Sequence, residues 1–281
     1  MELILKLIEF IIYAILIVFI TKNILIKVLR VLANALDLES KLVGNITGVA
    51  TSMPEMISVF FTALNGMFSI VIFNILSSNI INSIQYIISI LSNRNQKFLD
   101  NDALKGDIVM VILTILFPLM SIIFNIELNI GFVPIFIMLF ILFYIINTNT
   151  HRIYLSNIKI KQTREIEQKK GVKGKKKEIL KNVIFLILVG ISLFILGELL
   201  GNVVRNLSTF FDIPEWAIGI ALGFVTSIPE LITFVESQRN SKKEDNNIAG
   251  VVEATNNLLT SNIVNLFVVL TIGIIVITIK I

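Results

Sequence analysis

Glu55 and Glu230 are the two residues whose type and setting point most directly to chemistry. Each lies in an apolar stretch and closes the same pattern: residues 44–55 read GNITGVATSMPE and residues 219–230 read GIALGFVTSIPE. Six of the twelve positions are identical, namely two glycines, then Thr, Ser, Pro and Glu. An isolated carboxylate in hydrocarbon is costly and marks a functional path, usually for ions. Pro54 and Pro229 have no N–H and clash with the preceding turn, so each interrupts its helix. The carbonyls of Ala50 and Val225 then lose their usual partner, and Gly48 and Gly223 are expected to loosen the backbone just before. Freed carbonyls at membrane depth persist only where they line a cavity or bind an ion. Thr51, Ser52, Thr226 and Ser227 add hydroxyl oxygens. One such motif alone reads equally well as a kinked helix whose hydroxyls cap their own backbone. Two copies, each with a Glu, favour a site.

A second pair of blocks follows in the same order. Residues 74–82 read NILSSNIIN and residues 257–265 read NLLTSNIVN, with six of nine positions identical. Asn74, Ser78 and Asn82 share one helical face, as do Asn257, Ser261 and Asn265. Such faces also serve as inter-helix hydrogen-bond glue, the expected role of Asn79 and Asn262. Glu253 extends the second face by one turn, as an ion-recruiting group or an interfacial solvated charge. All of these are hard oxygen donors, suited to Ca²⁺ or Na⁺ and not to a soft metal. Two carboxylates give a charge of −2, which one Ca²⁺ matches; protons or smaller cations could also neutralise them.

The elements that must position these groups are membrane helices. The chain has 281 residues, is 55% apolar and only 16% charged, with a mean hydropathy of +0.87. Its apolar residues fall in runs of about 20, the length that crosses a bilayer. This excludes an ordinary soluble enzyme and a disordered chain. No cysteine and one histidine, His151, exclude disulfides, thiolate metal sites and multi-histidine metal chemistry. The fold class is all-α polytopic, with eight helices expected near 3–20, 42–64, 67–91, 107–125, 130–147, 180–200, 216–237 and 248–279. The last is expected to tilt, break or fold back near Gly273. A polar, basic linker at 148–178 separates a first half, 1–147, from a shortened second half, 179–281. With that linker in the cytoplasm and the N-terminus outside, 21 of the 24 Lys and Arg fall on the inner side, as the positive-inside rule expects. Lys41 is among those assigned to inner loops. The expected setting is a multi-pass protein of the cell membrane. The Lys/Arg run at 169–177 reads as a solvated loop, with binding to anionic lipid headgroups as the alternative. The helices bearing the two motifs then run in opposite directions, which makes the repeats at 44–82 and 219–265 inverted.

These motifs resemble the α-repeats of the cation/Ca²⁺ exchanger superfamily, sodium/calcium exchanger type, whose pattern is close to G-T-S-x-P-E followed by G-N-x-x-G-S-N-x-x-N. The resemblance covers both repeats and the linker after the fifth helix. It implies a secondary active antiporter exchanging Ca²⁺ for H⁺ or Na⁺ by alternating access, with no enzymatic activity, no resident cofactor and no nucleic-acid partner. It leaves oligomeric state open. Carried over by position, the ion ligands fall on Thr51, Ser52, Glu55, Ser78 and Asn82, and on Thr226, Ser227, Glu230, Ser261 and Asn265. Three departures stand out. The family has ten helices, so the last two are expected to be missing, and a truncated relative that binds cations or a partner without turnover remains an alternative. Phe73, Ser77, Asn256 and Thr260 stand where the family has glycine, so looser packing is expected there. Asn occupies both 82 and 265, where an Asp is common in one repeat. That leaves no third carboxylate for a crowded sodium site and favours H⁺ over Na⁺ as counter-ion.

Overall fold

The computed structural model describes residues 2–35, 38, 40–124, 126–162, 175–243 and 247–280, and among these there is no β-strand. The N-terminal helix α1 (Glu2–Ile20) does not stop where expected. It passes through a π-helical turn at Thr21–Leu25 into α2 (Ile26–Ala35). Leu25 and Ile26 are buried there, so the apolar face that drives the helix continues past residue 20. The next expected span is two short helices, α3 (Ser40–Thr51) and α4 (Met53–Leu64), with Ser52 between them. After α5 (Phe68–Ser92) come α6 (Asp102–Ile123) and α7 (Val133–Gln162). Helix α7 extends well into the expected linker and carries His151 on its backbone; residues 163–174 lie outside the described residues. The second half contains α8 (Lys175–Thr209), the broken pair α9 (Glu215–Thr226) and α10 (Ile228–Lys243), then α11 (Asn247–Val264) and α12 (Leu270–Lys280). A second π-turn, Asn265–Val269, joins α11 to α12. The final helix therefore neither breaks nor folds back at Gly273. That residue packs onto Val71 and Val59, where an added Cβ would lie 2.6 and 2.9 Å from their side chains.

Seven of these stretches are long and apolar enough to cross a membrane. The α3–α4 pair is not among them, because the motif's own polar residues lower its hydropathy. Burial sorts the spans into an inner and an outer set. Spans 68–92, 215–239 and 248–279 have 56–61% of their apolar windows buried, against 11–28% for spans 2–29, 104–123, 130–147 and 181–209. The outer spans expose long rows of Ile, Leu and Phe, including Ile11, Ile15, Ile141 and Ile187. Such all-apolar outer faces suit lipid contact, since inner positions carry the polar groups.

Lys41 is not a solvated loop charge. It is 2% exposed, and its Nζ lies 3.2 and 3.3 Å from the two carboxylate oxygens of Asp107 on α6. Asn256 of α11 donates to the same carboxylate at 3.2 Å. Burying both charges has a large desolvation cost, so neither is tolerable without the other. The network ties the first turn of α3 to α6 and α11. Lys41→Met alone should therefore destabilise the protein by about 3–5 kcal/mol, while Lys41→Met combined with Asp107→Leu should recover most of that loss. Thermal unfolding in detergent of the two variants side by side would check this.

Candidate cation site

The two motif helices break at equivalent places and with nearly the same geometry. Ser52 has φ −78° and ψ −1°; Ser227 has φ −80° and ψ −3°. Both lie in the sparsely populated bridge region at the edge of helical space. Neither Pro54 nor Pro229 can donate to the carbonyl four residues earlier, and each break falls two residues before its proline. The backbone restarts at once: the Met56 amide donates to Ser52 O at 3.0 Å and the Leu231 amide to Ser227 O at 3.5 Å. Each Glu therefore stands in the first turn of a new helix, α4 or α10. Helix N-termini favour negative charge.

Glycine has a different role from the one expected. Gly48 and Gly223 remain inside their helices, and a Cβ at Gly48 would lie 2.7 Å from Asn257 O and 2.8 Å from Thr260 Cβ. At Gly223 it would lie 2.7 Å from Asn74 O and closer still to the Ser77 hydroxyl. Gly44 meets the Glu253 carbonyl and Asn256 Cβ, and Gly219 meets the Ile70 carbonyl and Phe73 Cβ, in the same way. So α3 packs directly on the backbone of α11, and α9 on that of α5. Phe73, Ser77, Asn256 and Thr260 do not loosen these contacts, contrary to expectation. Each faces a glycine on the opposite helix, which supplies the missing space.

This pairing crosses the repeats. Thr51 of the first repeat donates to Asn257 Oδ1 of the second at 3.3 Å, and the Ser52 and Ser261 hydroxyls are 3.0 Å apart. Ser78 donates to Gly223 O at 3.4 Å. Ser261 donates to Glu230 Oε1 at 2.9 Å, and Asn82 Nδ2 lies 3.5 Å from the Ser261 hydroxyl. Thr226 stands beside Glu55 and Thr51 beside Glu230, and the two carboxylates lie within electrostatic reach of each other. The structure thus brings Thr51, Ser52, Glu55, Ser78, Asn82, Thr226, Glu230 and Ser261 into one region. Ser227 occupies the second helix break. Asn265 lies one turn beyond Ser261, at the start of the π-turn, the kind of irregularity often found at functional sites.

All ten residues are buried, at 2% exposure or less. Several of their polar atoms nonetheless have no protein partner: both Glu55 oxygens, Glu230 Oε2, Ser227 Oγ, Asn82 Oδ1, and both amide atoms of Asn265. Leaving a buried polar group unpaired costs about 1–3 kcal/mol, and more for a charged one. Such a concentration of orphaned oxygens around two acids is chemically suited to a hard cation.

Reasoning from sequence missed part of the supporting frame. Asn74 Nδ2 donates to the Ser58 hydroxyl at 2.8 Å, and Asn257 makes the equivalent bond to Thr233. Each Asn thereby commits its amide nitrogen to the helix that carries a Glu. The repeat itself was the available signal, since both Asn residues recur four residues before a common Ser-Asn. Asn79 and Asn262 are the expected glue: Asn79 Nδ2 donates to Asn262 O at 2.9 Å and Asn262 Nδ2 to Asn79 O at 3.4 Å.

Fold and site together define a polytopic helical membrane protein with two inverted repeats that meet at a buried oxygen-rich centre. The chain belongs to the sodium/calcium exchanger protein family, whose model matches residues 6–149 and 181–281. A solved structure of the sodium-calcium exchanger NCX_Mj, soaked with 2.5 mM Na⁺ and 10 mM Sr²⁺, has the same fold. It matches with a TM-score of 0.55 and 20% identity, over 98% of this chain and 83% of that one. No curated protein matches the chain.

The glycine contacts yield a direct test. Gly223→Ala should lower stability by about 1–3 kcal/mol, as overpacking does. Gly190→Ala, where nothing lies within 4 Å of the added Cβ, should leave stability unchanged or slightly raised. Thermal unfolding followed by the fluorescence of the single tryptophan, Trp216, would compare them.

Proposed function

We propose that the protein is a secondary active antiporter that moves Ca²⁺ across the cell membrane in exchange for H⁺ or Na⁺. The observation that carries this reading is the pair Glu55 and Glu230, one from each repeat, buried together with unpaired oxygens. Ca²⁺ would be held between the repeats by these carboxylates, with Thr51, Ser52, Ser78, Asn82, Thr226, Ser227, Ser261 and Asn265 supplying neutral oxygens. Alternating access would expose this fixed centre to one side at a time. Asn at both 82 and 265 leaves no third acid for several sodium ions, which favours H⁺ as the counter-ion. Residues 1–147 and 179–281 form the two exchanger halves in this reading, joined by the cytoplasmic 148–178 linker.

Removing either charge leaves Ca²⁺ facing a single carboxylate in a low-dielectric setting. Glu55→Gln and Glu230→Gln should each abolish ⁴⁵Ca²⁺ flux in proteoliposomes, at unchanged expression and membrane insertion. Replacing the exposed Glu198 or Glu236 should do far less. Wild-type flux in either Gln variant would remove that Glu from the site. Flux that follows an imposed Na⁺ gradient and ignores a pH gradient would assign Na⁺ as the counter-ion.

Orientation has its own test, made clean by the absence of native cysteine. A cysteine at Asn157 should resist an impermeant thiol reagent in intact cells and react after permeabilisation. Labelling in intact cells would invert the topology.

A further inference from the structure

We propose that Glu253 is the mouth of the centre on one side of the membrane: the cation passes between α10 and α11, and Glu253 captures it from that face. The proposal rests on the antiport reading and adds a route to its site. Its basis is a seam of polar pairs between the two helices. Glu230, Thr233 and Ser237 share one face of α10, and Ser261, Asn257 and Glu253 share one face of α11. They meet as three rungs. Ser261 donates to Glu230 Oε1 at 2.9 Å, Asn257 Nδ2 donates to the Thr233 hydroxyl, and Ser237 donates to Glu253 Oε1 at 2.8 Å. Each rung lies about one helical turn further from the centre than the last.

Burial gives way only at the last rung. Glu230, Thr233, Asn257, Ser261 and Ser237 are buried, while Glu253 is half-buried. The seam therefore runs from the enclosed centre to a partly exposed carboxylate. The first repeat has the same architecture without that end. Its second rung is kept: Asn74 Nδ2 donates to the Ser58 hydroxyl at 2.8 Å. Its third position holds Thr62 and Ile70, the repeat equivalents of Ser237 and Glu253. Thr62 turns back onto the carbonyls of Ser58 and Val59 on its own helix. Ile70 is completely buried in an apolar cluster. Hydrocarbon thus closes the α4–α5 seam at the point where the α10–α11 seam ends in an acid.

A cation leaving water meets a high barrier in hydrocarbon. Hydroxyl, amide and carboxylate oxygens spaced a turn apart offer a hard cation successive partners along the way. An ionised carboxylate at the rim of a low-dielectric wall also raises the local concentration of cations before they enter. Glu253 stands two rungs from Glu230. Its charge therefore governs how readily an ion is captured from its own face, and not how the enclosed centre holds the ion once bound. In the topology proposed above, that face is the one that carries the 148–178 linker.

The test is ⁴⁵Ca²⁺ flux by the full-length protein in right-side-out and inverted membrane vesicles, with the linker face identified by thiol labelling at position 157. Whichever counter-ion gradient moves Ca²⁺ in the wild type drives the assay. Glu253→Gln keeps a hydrogen-bond acceptor for Ser237 and removes the charge. The half-maximal Ca²⁺ concentration should rise at least about threefold on the linker face and stay within about twofold on the other, with the saturated rate kept. In Glu253→Cys, a negatively charged methanethiosulfonate reagent should restore capture from the linker face, and a positively charged one should not. Wild-type values at both faces in the Gln variant, equal weakening at both faces, or equal effects of the two reagents would each overturn the capture role while leaving antiport intact. Absence of wild-type Ca²⁺ movement under either a H⁺ or a Na⁺ gradient overturns the antiport reading itself, and the route with it.

Discussion

Everything at the centre of this molecule depends on backbone-to-backbone approach between helices of opposite repeats. Gly44 and Gly48 let α3 lie directly on α11, and Gly219 and Gly223 let α9 lie directly on α5. In lipid no hydrophobic force drives one apolar helix onto another, so close packing and inter-helix hydrogen bonds must supply the association. The glycines make that approach, and the Asn-Ser faces of α5 and α11 supply the hydrogen bonds. Only at this separation can Ser52 reach Ser261, or Ser78 reach the carbonyl of Gly223.

The same contact explains why the broken helices are tolerated. A proline break at membrane depth frees backbone carbonyls that must find partners or line a site. Here each break at Ser52 and Ser227 sits against the polar face of the other repeat's helix. Neither repeat completes the centre by itself, because Thr51 stands beside Glu230 and Thr226 beside Glu55. The repeats are therefore interlocked partners in one centre and not two parallel copies of a site.

Two kinds of buried charge coexist, with opposite consequences. Lys41 and Asp107 satisfy each other within the protein and fasten α3 to α6 and α11. Glu55 and Glu230 lie within electrostatic reach of each other and leave three of their four oxygens without a protein partner. The first pair is a structural tie that gains nothing from an ion. The second is a standing electrostatic cost that a cation would remove, which is the physical basis for reading it as the transport centre.

The helical membrane class, the two motif pairs and the pairing of Glu55 with Glu230 were legible in the sequence. Each rests on a local pattern: runs of apolar residues, a repeated string, a proline placed just before an acid. The helix breaks at Ser52 and Ser227 follow from proline chemistry in the same way. What the sequence could not decide was set by contacts between distant residues. Lys41 reads as a loop cation, and only Asp107, 66 residues away, makes it a buried tie. Phe73, Ser77, Asn256 and Thr260 read as obstacles to packing, because their facing glycines lie on another helix. The π-turn at Asn265–Val269 has no counterpart in the matching helix α5, although the two strings are nearly alike. Local strings determine where a helix forms and where it breaks. Which face meets which neighbour, and so whether a charge is solvated, paired or left waiting for an ion, is decided only when the two repeats pack together.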